Sequence, residues 1–261
     1  MRKQLRIYLL IAIASAFLAS CSLFKHKCSE PDTDTETKPT SETKTKKKHK
    51  KRRRHNRGFL FFKKKRSYPV SFKPVIYLYP KQTDTFTVTL DYQGELTALY
   101  PKYTGHWKVV AQPNGTLTNL NDNQEYSYLF YEGALNETYS GQIKEGFVIH
   151  KDTAIEFLQK KLSYIGLQPK EYNEMISYWL PQLYEKEFIV IHFLIGDACN
   201  SVCKLGYSQK PDTEIRVMLE FYALDKQIDL PLQTLPHYER NGFTVIEWGG
   251  INVKKKYRSV L

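Results

Sequence analysis

Thr85-Phe86-Thr87-Val88-Thr89-Leu90-Asp91-Tyr92 sets bulky and polar side chains in strict alternation. Successive side chains of a strand point to opposite faces. Phe86, Val88, Leu90 and Tyr92 therefore share a buried face, and the threonines and Asp91 a wet one. Upstream, Lys73-Pro74-Val75-Ile76-Tyr77-Leu78-Tyr79-Pro80 is an apolar run bounded by prolines and also reads as a strand. Downstream, residues 95–100 and 106–112 continue the pattern. Pro113-Asn114-Gly115 is a tight-turn signal that leads into residues 116–120 as a hairpin. Residues 126–132 and 147–150 close a strand-rich first half.

The period then changes. Thr153-Ala154-Ile155-Glu156 fits a capping box, Ile155, Leu158, Leu162 and Ile165 fall on one helical face, and Gly166 marks the stop. Pro169 suits the first turn of a second helix, with Tyr172, Met175, Ile176 and Trp179 at helical spacing. Pro181 lacks the N–H for a bond back to Ser177, so this helix is expected to end or kink there. Residues 188–195 are apolar on both faces apart from His192, as in a central strand covered on both sides. Residues 214–224 alternate again and residues 243–248 form the last strand. The order predicts an α+β domain over residues 70–254, strand-rich and mostly antiparallel, with two central helices. Lys254-Lys255-Lys256 opens a frayed basic tail, 255–261.

The net charge of +12 is unevenly spread: residues 1–66 hold 20 Lys or Arg against 5 Asp or Glu, and residues 67–261 hold 19 against 22. The basic character belongs to an arm in front of a nearly neutral globular body. Residues 22–42 are rich in Ser, Thr, Asp, Glu, Lys and Pro and lack the apolar material to offset chain entropy. Lys or Arg fills 14 of the 23 positions from 44 to 66, with Phe59-Leu60-Phe61-Phe62 set among them. Residues 21–69 are thus predicted to form a disordered, polybasic tether. Three roles fit the run. It can space the domain from a surface. It can lie on anionic headgroups through Arg52, Arg53, Arg54, Lys63, Lys64, Lys65 and Arg66, with Phe59, Phe61 and Phe62 dipping into the interface. It can also bind nucleic acid or another polyanion, the least favoured reading.

At the front, Arg2, Lys3 and Arg6 precede an apolar or small run over residues 7–19, shorter than the roughly 20 residues of a membrane span. Leu18-Ala19-Ser20-Cys21 closes it and resembles the lipobox of bacterial lipoproteins. The resemblance implies a signal peptide over residues 1–20, cleavage after Ser20 and fatty acylation of Cys21. The protein would then sit on the outside of the bacterial cell membrane, or on the outer membrane where there is one. That location favours the headgroup reading of the basic run over nucleic acid. Within the domain, Lys73 to Pro80, Tyr126-Ser127-Tyr128-Leu129-Phe130-Tyr131-Glu132-Gly133 and Gly242-Phe243-Thr244-Val245-Ile246-Glu247-Trp248-Gly249-Gly250 are similar to blocks of an uncharacterised, mostly bacterial family. The similarity implies a domain boundary and no activity.

Chemistry is sparse. Cys199 and Cys203 are close enough in sequence for a local disulfide outside the cytosol, with two idle thiols or a metal site as alternatives; Cys28 is left without a partner. The histidines are scattered and show no metal-ligand spacing. His192 reads as a hydrogen-bonded core residue. No metal or other cofactor is expected. Glu132 and Glu247 both lie among aromatic residues. As a facing pair they would suit glycan hydrolysis, one as proton donor and one as nucleophile or base. Nineteen tyrosines either fill strand faces or, where exposed, stack on sugars or grip a protein. The leading expectation is a lipid-anchored, non-catalytic binding domain at the cell envelope. Its rival is an envelope glycan hydrolase.

Overall fold

The structure, a computed structural model, describes residues 67–258. In chain order the elements are β1 (Ser67–Tyr79), β2 (Asp84–Tyr92), β3 (Gly94–Tyr100), β4 (Trp107–Ala111), β5 (Leu117–Asn119), β6 (Gln124–Tyr126), β7 (Leu129–Leu135) and β8 (Phe147–His150), then helices α1 (Ala154–Ile165) and α2 (Pro169–Leu183), then β9 (Phe188–Ile195), β10 (Cys203–Tyr207), β11 (Thr213–Leu224) and β12 (Thr244–Arg258). Seven strands form one sheet in the order β3-β7-β1-β12-β11-β9-β8, and five form another in the order β10-β2-β4-β5-β6. All pairings are antiparallel except β11 with β12.

The apolar run at the front explains the layering. Val75 and Tyr77 enter a core shared with α1 and α2, while Ile76 and Leu78 enter a second core shared with the smaller sheet. A strand covered on both faces has no wet side and reads as a continuous apolar run. The larger sheet is thus the middle of three layers. β2 keeps its alternation because only one of its faces is packed: Phe86 and Val88 are buried, with exposed or half-buried residues around them.

Several expectations need correction. Residues 126–132 are not one strand: Tyr126 ends β6 in the smaller sheet and Leu129 starts β7 in the larger one, so the chain changes layers between them. β9 is not central. It lies one strand from the sheet edge, and β12 takes the middle place. β12 also runs through residues 255–258, where a tail was expected, because its backbone pairs with the start of β1 out to Ser67 opposite Arg258. Thr153 makes no capping box; its hydroxyl donates to the His150 carbonyl at 2.8 Å. The reciprocal contact appears instead at α2, where the Gln168 N–H donates to Glu171 Oε2 at 2.7 Å. α2 runs past Pro181 and ends two residues later.

Gly250 shows how closely α2 sits on the sheet. A Cβ added there would lie 2.7 Å from Cζ2 of the buried Trp179 and 3.0 Å from the Leu219 carbonyl oxygen. Neither a buried indole nor strand backbone gives way readily. Gly250→Ala is expected to cost about 1–3 kcal/mol, the usual penalty of overpacking, measurable as a lower urea midpoint with an unchanged slope.

Candidate functional site

The three sequence blocks converge. The first lies on β1, the second reaches β7 and the third lies on β12, and these are neighbours in the order β7-β1-β12. Alternation along each strand then divides their side chains between the two faces.

On the face toward the smaller sheet, Glu247 is fully buried. Its Oε1 accepts from the Tyr131 hydroxyl at 2.7 Å, and its Oε2 from Arg216 Nε at 2.6 Å. The other guanidinium nitrogens of Arg216 donate to Asn200 Oδ1 at 2.6 Å and to the Cys203 carbonyl at 2.5 Å. Burial works against the charge on Arg216, but its neighbours together, led by the charge and hydrogen bond of Glu247, hold the guanidinium above its usual value. Every polar atom of this pair is engaged, as a buried ion pair requires. Glu247 holds the sheet together.

Toward the helices, Trp248 and Tyr77 stand beside Lys73, which occupies a break in the register of β1 with both β12 and β7. Lys73 has φ of +48°. A residue with a Cβ adopts this only at a cost of about 1–3 kcal/mol, and such strain gathers at functional sites. The twist places Lys73 Nζ 5.0 Å from the ring centre of Tyr178, 5.7 Å from that of Trp248 and 5.9 Å from that of Tyr128. Nζ also pairs with Glu174 Oε1 at 3.3 Å, and Glu174 Oε2 accepts from the Tyr77 hydroxyl at 2.8 Å. Burial, then the nearby charge of Glu174, pushes the Tyr128 phenol up to about 12.

Glu132 belongs to this second group. Its neighbour Tyr131 points to the smaller sheet, so Glu132 points the other way, toward Tyr178, whose phenol feels its charge. The Lys73 N–H donates to its carboxylate, while burial raises its pKa. Outward along the sheet, Tyr100 stands opposite Phe130 in the β3–β7 register, is 59% exposed and meets Tyr126 edge to face at 5.0 Å. Tyr178, Tyr128 and Tyr100, with Lys73, Glu132 and Glu174, form a half-open shelf of rings and charges.

Glu132 and Glu247 thus occupy opposite faces of the larger sheet, and the expected carboxylate pair does not form. Cys199 and Cys203 are free, buried thiols in place of the expected bridge. Cys199 Sγ donates to the Leu194 carbonyl at 3.3 Å and Cys203 Sγ to that of Lys204 at 3.7 Å, so each thiol is turned to its own acceptor. Burial pushes the Cys203 thiol up to about 12, which leaves it protonated and inert at neutral pH. Among the described residues no cluster of His, Cys, Asp and Glu is placed to hold a metal ion, and no helix is long and apolar enough to cross a membrane. Cys21 and the basic and aromatic residues from Arg52 to Arg66 lie outside the described residues. Lys73, Glu174, Tyr128 and Tyr178 were missed as site residues. The one signal for Lys73 was its place ahead of Pro74 at the mouth of the apolar run.

Glu132 gives a test of whether the shelf is kept at a cost. A carboxyl whose folded pKa is raised lends stability below its unfolded value, 4.5, and loses it as pH rises through the folded value. Glu132→Gln removes that loss. Solvent reaches part of the group, so the gain is small, on the order of 0.5 kcal/mol. Thermal melts are expected to show the variant ahead of wild type at pH 7 and level with it at pH 4.

Fold and site together define a strand-rich, mostly antiparallel domain with a half-open aromatic shelf beside its central strands. The chain is 45% identical over 64 residues to an uncharacterised protein in the bglA 3′ region of Butyrivibrio fibrisolvens. That match takes in 23% of this chain and 65% of the relative, so it spans slightly less than two thirds of the bacterial protein. No family model and no solved structure matches the chain.

Proposed function

We propose that this is a lipid-anchored bacterial envelope protein whose domain binds a glycan chain, without cleaving it, on the shelf around Lys73. The observation that carries the reading is the grouping of half-open rings, Tyr128, Tyr178 and the exposed Tyr100, around a lysine and two glutamates. Rings offer flat apolar area to the C–H faces of sugars at little entropic cost, and the charged groups supply hydrogen bonds to hydroxyls. The resemblance of Leu18-Ala19-Ser20-Cys21 to a lipobox supports the anchor. The likeness of the first two blocks to an uncharacterised bacterial family fits a shared surface, since they supply Lys73, Tyr128 and Glu132 to it. The basic run over residues 44–66 then lies against anionic lipid and holds the domain near the membrane.

The test is affinity electrophoresis of the protein through gels containing envelope glycans. Wild type is expected to be retarded by at least one of them. Tyr100→Ala with Tyr178→Ala is expected to weaken binding about 30-fold, the loss that follows when central aromatic contacts worth about 2 kcal/mol are removed. Retardation unchanged in the double variant refutes the shelf. Shortened glycan released by wild type would replace binding with hydrolysis. Loss of fatty-acid labelling in Cys21→Ser checks the anchor.

A further inference from the structure

A second site lies on the other face of the larger sheet. Glu220 on β11 stands directly opposite His192 on β9. Their neighbours Phe193, Leu219 and Phe221 enter the helix-side core, so His192 and Glu220 turn toward the opposite side. There the stretch 138–142 and the end of the 3-10 turn Gly196–Ser201 wall a pocket of about 360 Å³.

The chemistry at its floor is specific. The Tyr139 hydroxyl donates to Glu220 Oε1. Glu220 Oε2 lies 3.8 Å from His192 Nε2, too far for a direct hydrogen bond. The other ring nitrogen of His192, Nδ1, is 2.9 Å from the Glu145 carbonyl oxygen. A carbonyl only accepts, so Nδ1 carries the hydrogen, and Nε2 carries a second one only in the imidazolium. Burial raises the Glu220 carboxyl. In the neutral ring Nε2 is an acceptor, and the protonated carboxyl that burial favours is a donor. The 3.8 Å gap thus presents one donor and one acceptor to whatever enters.

We propose that this pocket binds a small neutral polyhydroxylated ligand of monosaccharide size. A hydroxyl donates and accepts at once, which is what the gap between Glu220 and His192 asks for. A carboxylate only accepts and an ammonium only donates, so neither charged class serves both groups as a hydroxyl does. The rim offers the amides of Gln93 and Gln142, groups that bond hydroxyls in either sense, and Leu194 supplies an apolar patch for a C–H face. The volume falls at the small end of the roughly 300–1,000 Å³ common to ligand pockets. The wall is rigid where it matters, because Asn200 accepts from the buried Arg216. This site is distinct from the shelf, and it needs no hydrolysis and no metal.

The experiment is saturation-transfer NMR on the full chain. The probes are glucose, galactose and N-acetylglucosamine, with acetate and tetramethylammonium as charged comparators. At least one sugar is expected to receive saturation at millimolar concentration. Glu220→Gln is expected to weaken it at least tenfold. Because Glu220 is buried, a second variant stays at the rim: Gln142→Trp, at an exposed position, fills the mouth without touching the core and is expected to abolish the signal. The proposal is overturned if no sugar responds, if both variants bind like wild type, or if acetate or tetramethylammonium binds more tightly than the sugars. A sugar signal lost in Tyr178→Ala and kept in Gln142→Trp belongs to the shelf and overturns it equally.

Discussion

Arg216→Leu is expected to lower the stability of the domain by about 3–5 kcal/mol, the usual cost of removing one partner from a buried ion pair. For a domain of this size that is a fall of about 6–20 °C in Tm, at about 2–4 °C per kcal/mol. The loss has several parts. Glu247, fully buried, keeps only the Tyr131 hydroxyl and carries an uncompensated charge. The Cys203 carbonyl and Asn200 Oδ1 lose their donors at the same time. A buried acceptor without a partner costs about 1–3 kcal/mol, so leucine, though apolar, cannot make good the loss. The control is Arg216→Met combined with Glu247→Leu. It removes both charges and is expected to recover much of the stability, because the attraction inside such a pair little more than offsets its desolvation. A thermal melt of the three proteins decides the point. If the double variant is as unstable as the single one, the pair holds the strands by geometry that packing cannot replace. If Arg216→Leu melts within about 2 °C of wild type, the pair is not the anchor described. Asn200 ties this pair to the polar pocket, so the single variant is also expected to lose the pocket wall.

How much of this was readable beforehand depends on how local each signal is. The alternation of residues 85–92 and the Pro113-Asn114-Gly115 turn are properties of a few neighbouring residues, and both describe what is there: β2 alternates, and β4 pairs with β5 across Gly115 at φ of +87°. The face on which a side chain lies relative to a distant strand is not local. Glu132 and Glu247 look alike in sequence, each next to an aromatic residue. They are separated because Tyr131 and Glu247 share one face, and a slip of one residue in register would reverse that. The position of β9 was misjudged for a related reason. Helices cover one side of it and the stretch 138–142 with the turn Gly196–Ser201 lies against the other, so an almost continuous apolar run arises one strand from an edge. The conformation of Lys73 was out of local reach, and its place ahead of Pro74 argued the other way. Its left-handed backbone precedes a proline, a place where propensity argues for extended chain. Only the bulge shared by three strands imposes it.

Trp179→Ala is expected to have an effect as large as Arg216→Leu, about 3–5 kcal/mol, but to distribute it differently. Trp179 is fully buried where α2 meets the sheet, edge to face with Phe221 at 5.2 Å and with Phe72 at 6.5 Å, above the space that Gly250 leaves open. Truncation empties that volume. The strand backbone at Gly250 and Leu219 and the packed rings of Phe221 and Phe72 restrain its collapse. Trp179→Phe separates the contributions. Indole Nε1 is buried with no hydrogen-bond partner, so its removal relieves an unmet donor and offsets part of the void. A cost of about 1–2 kcal/mol is expected. Arg216 ties strand to strand, whereas Trp179 ties a helix to the sheet. Hydrogen exchange is therefore expected to show Trp179→Ala opening the amides of α2 before those of β1 and β12. Glu174 and Tyr178 ride on the same helix, so glycan retardation is expected to fall in Trp179→Ala while the sheets are still folded. If exchange accelerates equally in α2, β1 and β12, the helix and the sheet unfold as one unit. The shelf would then be only as dynamic as the core beneath it.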